Sequence, residues 1–189
     1  VVYLVDGDYA ALTADGYRTF QLGGTEVSRS VHEVTWDLDA IEKGGFDHFM
    51  LKEIFEQPNS LRDVIRGRLL EEEGDARLGG ISDHRDELAR VRHIVITACG
   101  TSWHAGLVGE YMLEEFAGIP ASVEYASEFR YRNAVLEPGT LALAISQSGE
   151  TADTLAAMSE AKSKGARQIT LTNYEGTQAT RIAEATIHI

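Results

Sequence analysis

Apolar and polar residues follow two different rhythms along the chain, and the change comes near residue 92. Before residue 35, short β-prone runs at residues 1–5, 9–13, 17–20 and 25–34 are separated by Asp6-Gly7-Asp8, Ala14-Asp15-Gly16 and Gly23-Gly24. Asp-Gly and Gly-Gly supply the positive φ of tight hairpins, so this stretch predicts an antiparallel meander. It is too small to stand alone. Residues 35–90 read as linker and helices. Phe49, Met50, Ile54 and Phe55 recur at helical spacing behind a capping Asp47. Pro58 lacks an N–H and is expected to end or break that helix, with a second helix over residues 60–70. Residues 71–83 are polar and glycine-rich, which predicts a mobile loop. One more short helix is expected over residues 83–90.

From Arg92 onward, apolar runs at residues 94–98, 122–125, 141–145, 168–172 and 186–189 predict five strands. Helical patterns lie between them. The first carries Val108, Tyr111, Met112 and Phe116 on one face and is stopped by Gly118 and Pro120. Others are expected over residues 128–132, 151–164 (closed by Gly165) and 178–183. Strands alternating with helices mean right-handed βαβ units on a parallel sheet, and near-continuous apolar strands fit a sheet covered on both faces. The fold class is α/β: a three-layer parallel sheet preceded by a helical linker and a small antiparallel β segment.

Two strand-to-helix junctions are rich in hydroxyls: Cys99-Gly100-Thr101-Ser102 after the first of the five strands, and Ser146-Gln147-Ser148-Gly149-Glu150-Thr151 after the third. In an open parallel sheet, ligands sit beyond the carboxyl ends of the strands, where strand order reverses. In the common order 2-1-3-4-5 that point lies between strands one and three. Hydroxyls and the free N–H groups of a helix start are donors suited to phosphate. Gly149 lets backbone approach a ligand, and Gln147 suits a sugar hydroxyl. The ordinary alternative is that Thr101, Ser102 and Thr151 are N-caps; two such loops at one switch point favour the ligand. Neither loop contains Lys or Arg, and neither Gly-x-x-x-x-Gly-Lys-Ser/Thr nor Gly-x-Gly-x-x-Gly occurs, so neither an NTPase nor a dinucleotide enzyme is indicated. Cys99 reads as a small buried residue, His104 as a structural one, and Glu150 as a favourable charge at its helix start. Arg130 and Arg132 lie in a segment that either closes over an anion or forms a solvated helix.

Composition narrows the partners. The 189 residues carry a formal net charge of −13, which disfavours nucleic acid. With one cysteine there is no intrachain disulfide and no cysteine zinc cluster, which fits a reducing compartment. No run is long and apolar enough for a membrane span, and the first residues lack a signal-peptide pattern. The chain lacks an initiator Met and opens on an apparent strand, so a fragment of a longer chain is expected.

Ala98-Cys99-Gly100-Thr101-Ser102, Ala126-Ser127-Glu128-Phe129-Arg130-Tyr131-Arg132 and Ser146-Gln147-Ser148-Gly149-Glu150-Thr151-Ala152-Asp153-Thr154-Leu155 resemble the glutamine–fructose-6-phosphate aminotransferase (isomerizing) family, the glucosamine-6-phosphate synthases. Lys52-Glu53-Ile54-Phe55-Glu56-Gln57-Pro58 resembles the stretch after that family's glutaminase domain. The resemblance implies the end of a glutaminase domain at residues 1–34, a linker at 35–90, and a truncated first sugar isomerase (SIS) domain at 91–189 with strand order 2-1-3-4-5. It implies that Ser102, Ser146, Ser148 and Thr151 hold the phosphate of fructose 6-phosphate or glucosamine 6-phosphate, completed by Thr101 and Gln147. It also implies a cytoplasmic homodimer formed through SIS domains, with no cofactor, metal, nucleic acid or membrane partner. The family's nucleophilic cysteine opens its mature chain, where Val1 stands here, and its general base and Schiff-base lysine belong to a later part. No catalytic residue is therefore assigned, and neither glutaminase nor synthase activity is expected of this chain alone. The competing readings are a stand-alone SIS sugar-phosphate sensor and an amino-sugar deaminase or deglycase.

Overall fold

The computed structural model describes residues 1–31 and 42–189. It divides into two compact units, Val1–Asn59 and Ser60–Ile189.

The first unit contains a three-stranded antiparallel sheet of β1 (Asp8–Thr13), β2 (Gly16–Gln21) and β3 (Glu26–Val27). Register pairs Tyr9 with Phe20, and their rings stack at 5.3 Å. Arg29 clamps Asp8 through two hydrogen bonds of 2.6 and 2.8 Å. That clamp holds the Asp8 carboxyl below its ordinary range. The β1–β2 turn is made by Ala14-Asp15 without positive φ, and Gly16 already belongs to the ladder. The expected strand over residues 1–5 is a single bridge between Val2 and Val31. Of the run at 25–34, two residues form β3, and residues 32–34 lie outside the described residues, as does the start of the linker.

Helix α1 (Phe49–Ile65) runs through Pro58 rather than ending there. A proline removes only its own bond to residue i−4. Here Ile54 and Pro58 are both exposed, so water can serve the carbonyl left without a donor. The separate helix over 60–70 is therefore absent: α1 ends at Ile65, and Leu69–Leu70 is a short strand, β4, paired with β5 (Asp75–Ala76). The expected mobile loop thus holds a hairpin and then a 3-10 turn, Gly79–His84, followed by α2 (Arg85–Leu88).

Ser60–Ile189 is built on a parallel sheet of β6 (His93–Ala98), β7 (Ala121–Tyr125), β8 (Thr140–Ile145), β9 (Arg167–Thr172) and β10 (Ala185–His188), in the order β10-β9-β8-β6-β7. Counted along the chain, that is 2-1-3-4-5, as expected. Helices α3 (Gly100–Met112), α4 (Ala126–Phe129), α5 (Ala152–Ser163) and α6 (Gln178–Ile182) fill the connections. On one face Val95 and Ala142 pack under Ala126, Phe129, Ala157 and Ala161, and Ala144 under Met158 and Ala179. On the other, Ile94, Ile96, Leu141 and Ile169 meet Ile81, Leu88, Val91 and Leu113. The result is three layers. On β9 the buried Thr170 Oγ1 donates to the Ala144 carbonyl at 3.2 Å.

The stripe Val108, Tyr111, Met112 and Phe116 is exposed, and the side of α3 against the sheet is glycine-lined at Gly106. Small residues let helix and sheet approach closely, so apolar periodicity marked the wrong side of this helix. α3 continues into a π turn, Leu113–Ala117, capped by left-handed Gly118. The helix expected over 128–132 is the single turn α4, starting two residues earlier.

Candidate functional site

The loop after β8 is organised by its own hydroxyls. Gly149 N donates to Ser146 Oγ at 3.1 Å, and Ser146 Oγ lies 3.2 Å from Thr151 Oγ1. Glu150 N donates to Ser148 Oγ at 3.2 Å. Ser146 N donates to the Leu171 carbonyl of the neighbouring strand at 3.0 Å, and Asn173 N, just after that strand, donates to the Gln147 carbonyl at 3.1 Å. Ser146 and Gly149 are buried, Ser148 and Thr151 half-buried, Gln147 exposed. The reversal of direction needs φ +66° at Gly149.

The capping alternative can be tested on geometry. Thr151 is the N-cap of α5, yet its side chain makes no capping hydrogen bond. The N-cap of α3 is Cys99, also without a side-chain cap bond, and Thr101 and Ser102 lie inside the first turn. Both helices therefore keep first-turn N–H groups that no N-cap side chain satisfies, at the positive end of their dipoles. An anion between the two loops would meet donors without any lysine or arginine.

A cleft of about 440 Å³ opens at this switch point. Thr101, Ser102 and Gln147 line its polar end, and Ile96, Leu143, Ile145 and Leu171 are among its apolar walls. Ser146, Ser148 and Thr151 belong to the same loop as Gln147 but do not line this cleft. The expected residues thus divide into a set facing the cleft and a set shaping the loop beside it. Asn173 also lines the cleft and was missed by the sequence reading. Its signal was available: it follows directly on a parallel strand, where ligand-binding loops begin. The Trp103 ring on α3 stacks on Tyr125 at 4.1 Å and was equally unmarked.

The other candidates are engaged structurally. Cys99 is half-buried, and Thr154 Oγ1 lies 3.9 Å from its sulfur. His104 meets Trp103 edge-on at 5.0 Å. Arg130 pairs with Asp153 at 2.7 Å, which raises the guanidinium pKa, and Arg132 pairs with Glu124. Glu150 does not serve the start of its own helix. Its carboxylate accepts from Gln178 N at 2.9 Å and Gln178 Nε2 at 2.7 Å, capping α6 instead.

The sequence pattern of the SIS domain family matches residues 87–189. Over 181 residues, 96% of this chain, the sequence is 55% identical to the glutamine–fructose-6-phosphate aminotransferase (isomerizing) of Chlorobaculum tepidum. Over 189 residues, 100% of the chain, it is 49% identical to the protein of that name from Thermus thermophilus. The chain spans 30% and 31% of the length of those relatives. Among solved structures, the C-terminal domain of glucosamine-fructose-6-phosphate aminotransferase from Francisella tularensis matches with a TM-score of 0.70 and 37% identity, covering 78% of this chain and 40% of that one. Among the described residues no helix is long and apolar enough to cross a membrane. By the match over residues 87–189, the chain belongs to the SIS domain family.

Proposed function

We propose that this chain is the sugar-phosphate-binding part of a glutamine–fructose-6-phosphate aminotransferase (isomerizing), with its phosphate seat at Ser146–Thr151 and Ser102. The carrying observation is the loop after β8, whose hydroxyls are ordered around Gly149 beside two helix starts that lack side-chain caps. Identity of 55% to a relative of that name supports the same reading. Ser146, Ser148, Thr151 and Ser102 take the phosphate, while Thr101 and Gln147 turn toward the sugar of fructose 6-phosphate or glucosamine 6-phosphate. On this reading residues 1–34 end a glutaminase domain, 35–90 are linker, and 91–189 belong to a first SIS domain. The whole enzyme would be a cytoplasmic homodimer paired through SIS domains, with no nucleic acid or membrane partner. The single cysteine and the net charge of −13 support that setting.

The chain's part in the chemistry is to bind and orient. Backbone and hydroxyl donors fix the phosphate without a neutralising cation, which leaves the sugar's reacting carbons to groups beyond these loops. Calorimetric titration with fructose 6-phosphate tests the seat. Heat is expected for the wild-type chain and none for the variant carrying Ser146→Ala and Ser148→Ala. Binding that survives both changes places the phosphate elsewhere. Formation of glucosamine 6-phosphate by the purified chain alone would overturn the division of labour.

A further inference from the structure

The loop after β8 is held from outside as well as from within. Both oxygens of Glu150 are used by one residue: Oε1 takes the backbone N–H of Gln178 and Oε2 takes its side-chain amide. On either side, Ala179 N donates to the Gly149 carbonyl at 3.1 Å and Asn173 N to the Gln147 carbonyl at 3.1 Å. The turn carrying the hydroxyls is therefore tied to the residue after β9 and to the first residues of α6 at three points, Gln147, Gly149 and Glu150. The Gln147 carbonyl also accepts from Thr172 Oγ1 at 3.3 Å. Of the three ties, that of Glu150 uses a side chain of the turn itself, and it is two-pronged, so it fixes orientation as well as distance.

A carboxylate beside an anion seat is electrostatically wrong unless something else is gained. Its orientation shows what is gained. Turned toward Gln178, the carboxylate holds the Glu150 backbone, whose N–H reaches Ser148 Oγ. The adjoining Gly149 N–H reaches Ser146 Oγ. We infer that Glu150 is a positioning residue which, clasped to Gln178, holds Ser146 and Ser148 in the arrangement that receives the phosphate. The inference rests on the loop being the phosphate seat.

Charge and geometry can be separated by substitution. Glu150→Gln removes the charge, but its amide oxygen still accepts from Gln178 N, and its amide nitrogen donates to Gln178 Oε1 once that side-chain amide turns over. Glu150→Ala removes both prongs. Gln178→Ala removes one and leaves the backbone donor. Both side chains are exposed, so none of these changes opens the core.

Titration with fructose 6-phosphate should show Glu150→Ala weakened about tenfold, Gln178→Ala weakened less, and Glu150→Gln within about twofold of wild type. In the ligand-free chain, amide exchange at Gly149 and Glu150 should speed up in Glu150→Ala and stay slow in Glu150→Gln. A role for the charge alone would make Ala and Gln behave alike, and that result overturns the inference, as does unchanged affinity and exchange in Glu150→Ala. Unchanged affinity in Glu150→Ala, where the wild-type chain binds well, removes only the clasp. A wild-type chain that takes up no fructose 6-phosphate removes the phosphate reading, and the clasp's role in binding with it.

Discussion

Thr177 stands against Gly149 with room between them for no more than a hydrogen. A Cβ built on Gly149 would lie 2.2 Å from Thr177 Oγ1 and 2.7 Å from Thr177 Cβ. Gly149 also holds φ +66°, where any L side chain is strained. Gly149→Ala should therefore cost about 2–5 kcal/mol, strain and overpacking together. It should also abolish fructose 6-phosphate uptake. Thr177→Gly in the same chain relieves the overlap but not the backbone strain, so it should restore stability only in part. Urea unfolding of the wild type and the two variants measures this. A Gly149→Ala chain that unfolds like wild type would show that the loop is not confined here.

The sheet was readable because its signal is long and repeated: five apolar runs with helical patterns between them dictate a parallel sheet, and two hydroxyl-rich junctions mark its switch point. The failures have local causes. Pro58 reads as a stop, but its penalty falls on one hydrogen bond in an exposed stretch of α1. Leu69–Leu70 and Asp75–Ala76 are strands of two residues, too short for any period to register. Val108 and Tyr111 mark an apolar stripe on α3, yet glycine makes the sheet contact. At the candidate site, motif chemistry singled out the hydroxyl-rich loops and passed over Asn173, a lone amide outside any motif that lines the cleft with Thr101, Ser102 and Gln147. The Glu150–Gln178 clasp spans 28 residues, a separation that no local pattern encodes.

Gly80 offers a contrast to Gly149, because its backbone is not in the left-handed region and only space is at stake. A Cβ there would fall 1.7 Å from the Thr186 carbonyl oxygen on β10. Backbone cannot swing aside as a side chain can. Gly80→Ala should push the 3-10 turn off β10 and open the contacts of Ile81 and Ile187 with the core. The expected result is faster amide exchange along β10 and a lower urea midpoint, with β8 and its loop unaffected. A midpoint equal to wild type would mean that the turn is not seated on the strand.

The arginines near the site make a negative prediction. Arg130 is committed to Asp153 at 2.7 Å and lies over the Tyr131 ring at 4.7 Å. A guanidinium so engaged is not a free phosphate ligand. Arg130→Gln should leave the fructose 6-phosphate dissociation constant within about twofold of wild type and lower the melting midpoint only slightly, as expected for a part-exposed pair. A large loss of affinity without a loss of stability would return Arg130 to the site.

Glu87 links α2 to β9. Arg167 and, second, His84 hydrogen-bond its carboxylate and draw its pKa from 4.5 down to about 2. The folded value lies below the unfolded one, so the unfolded chain binds the proton more readily. The contribution of Glu87 to stability is then complete above about pH 4.5 and lost as pH falls from there through about 2. Asp8 and Asp75 are also held low by arginines, so the acid transition of the wild type alone would mix several groups. Comparison with Glu87→Gln isolates one, because the others titrate alike in both chains. Melting midpoints across this range should show wild type above the variant at the neutral end and the gap closing toward about pH 2. A gap that stays constant with pH would show that the Arg167 and His84 contacts do not hold the Glu87 carboxylate in its charged form.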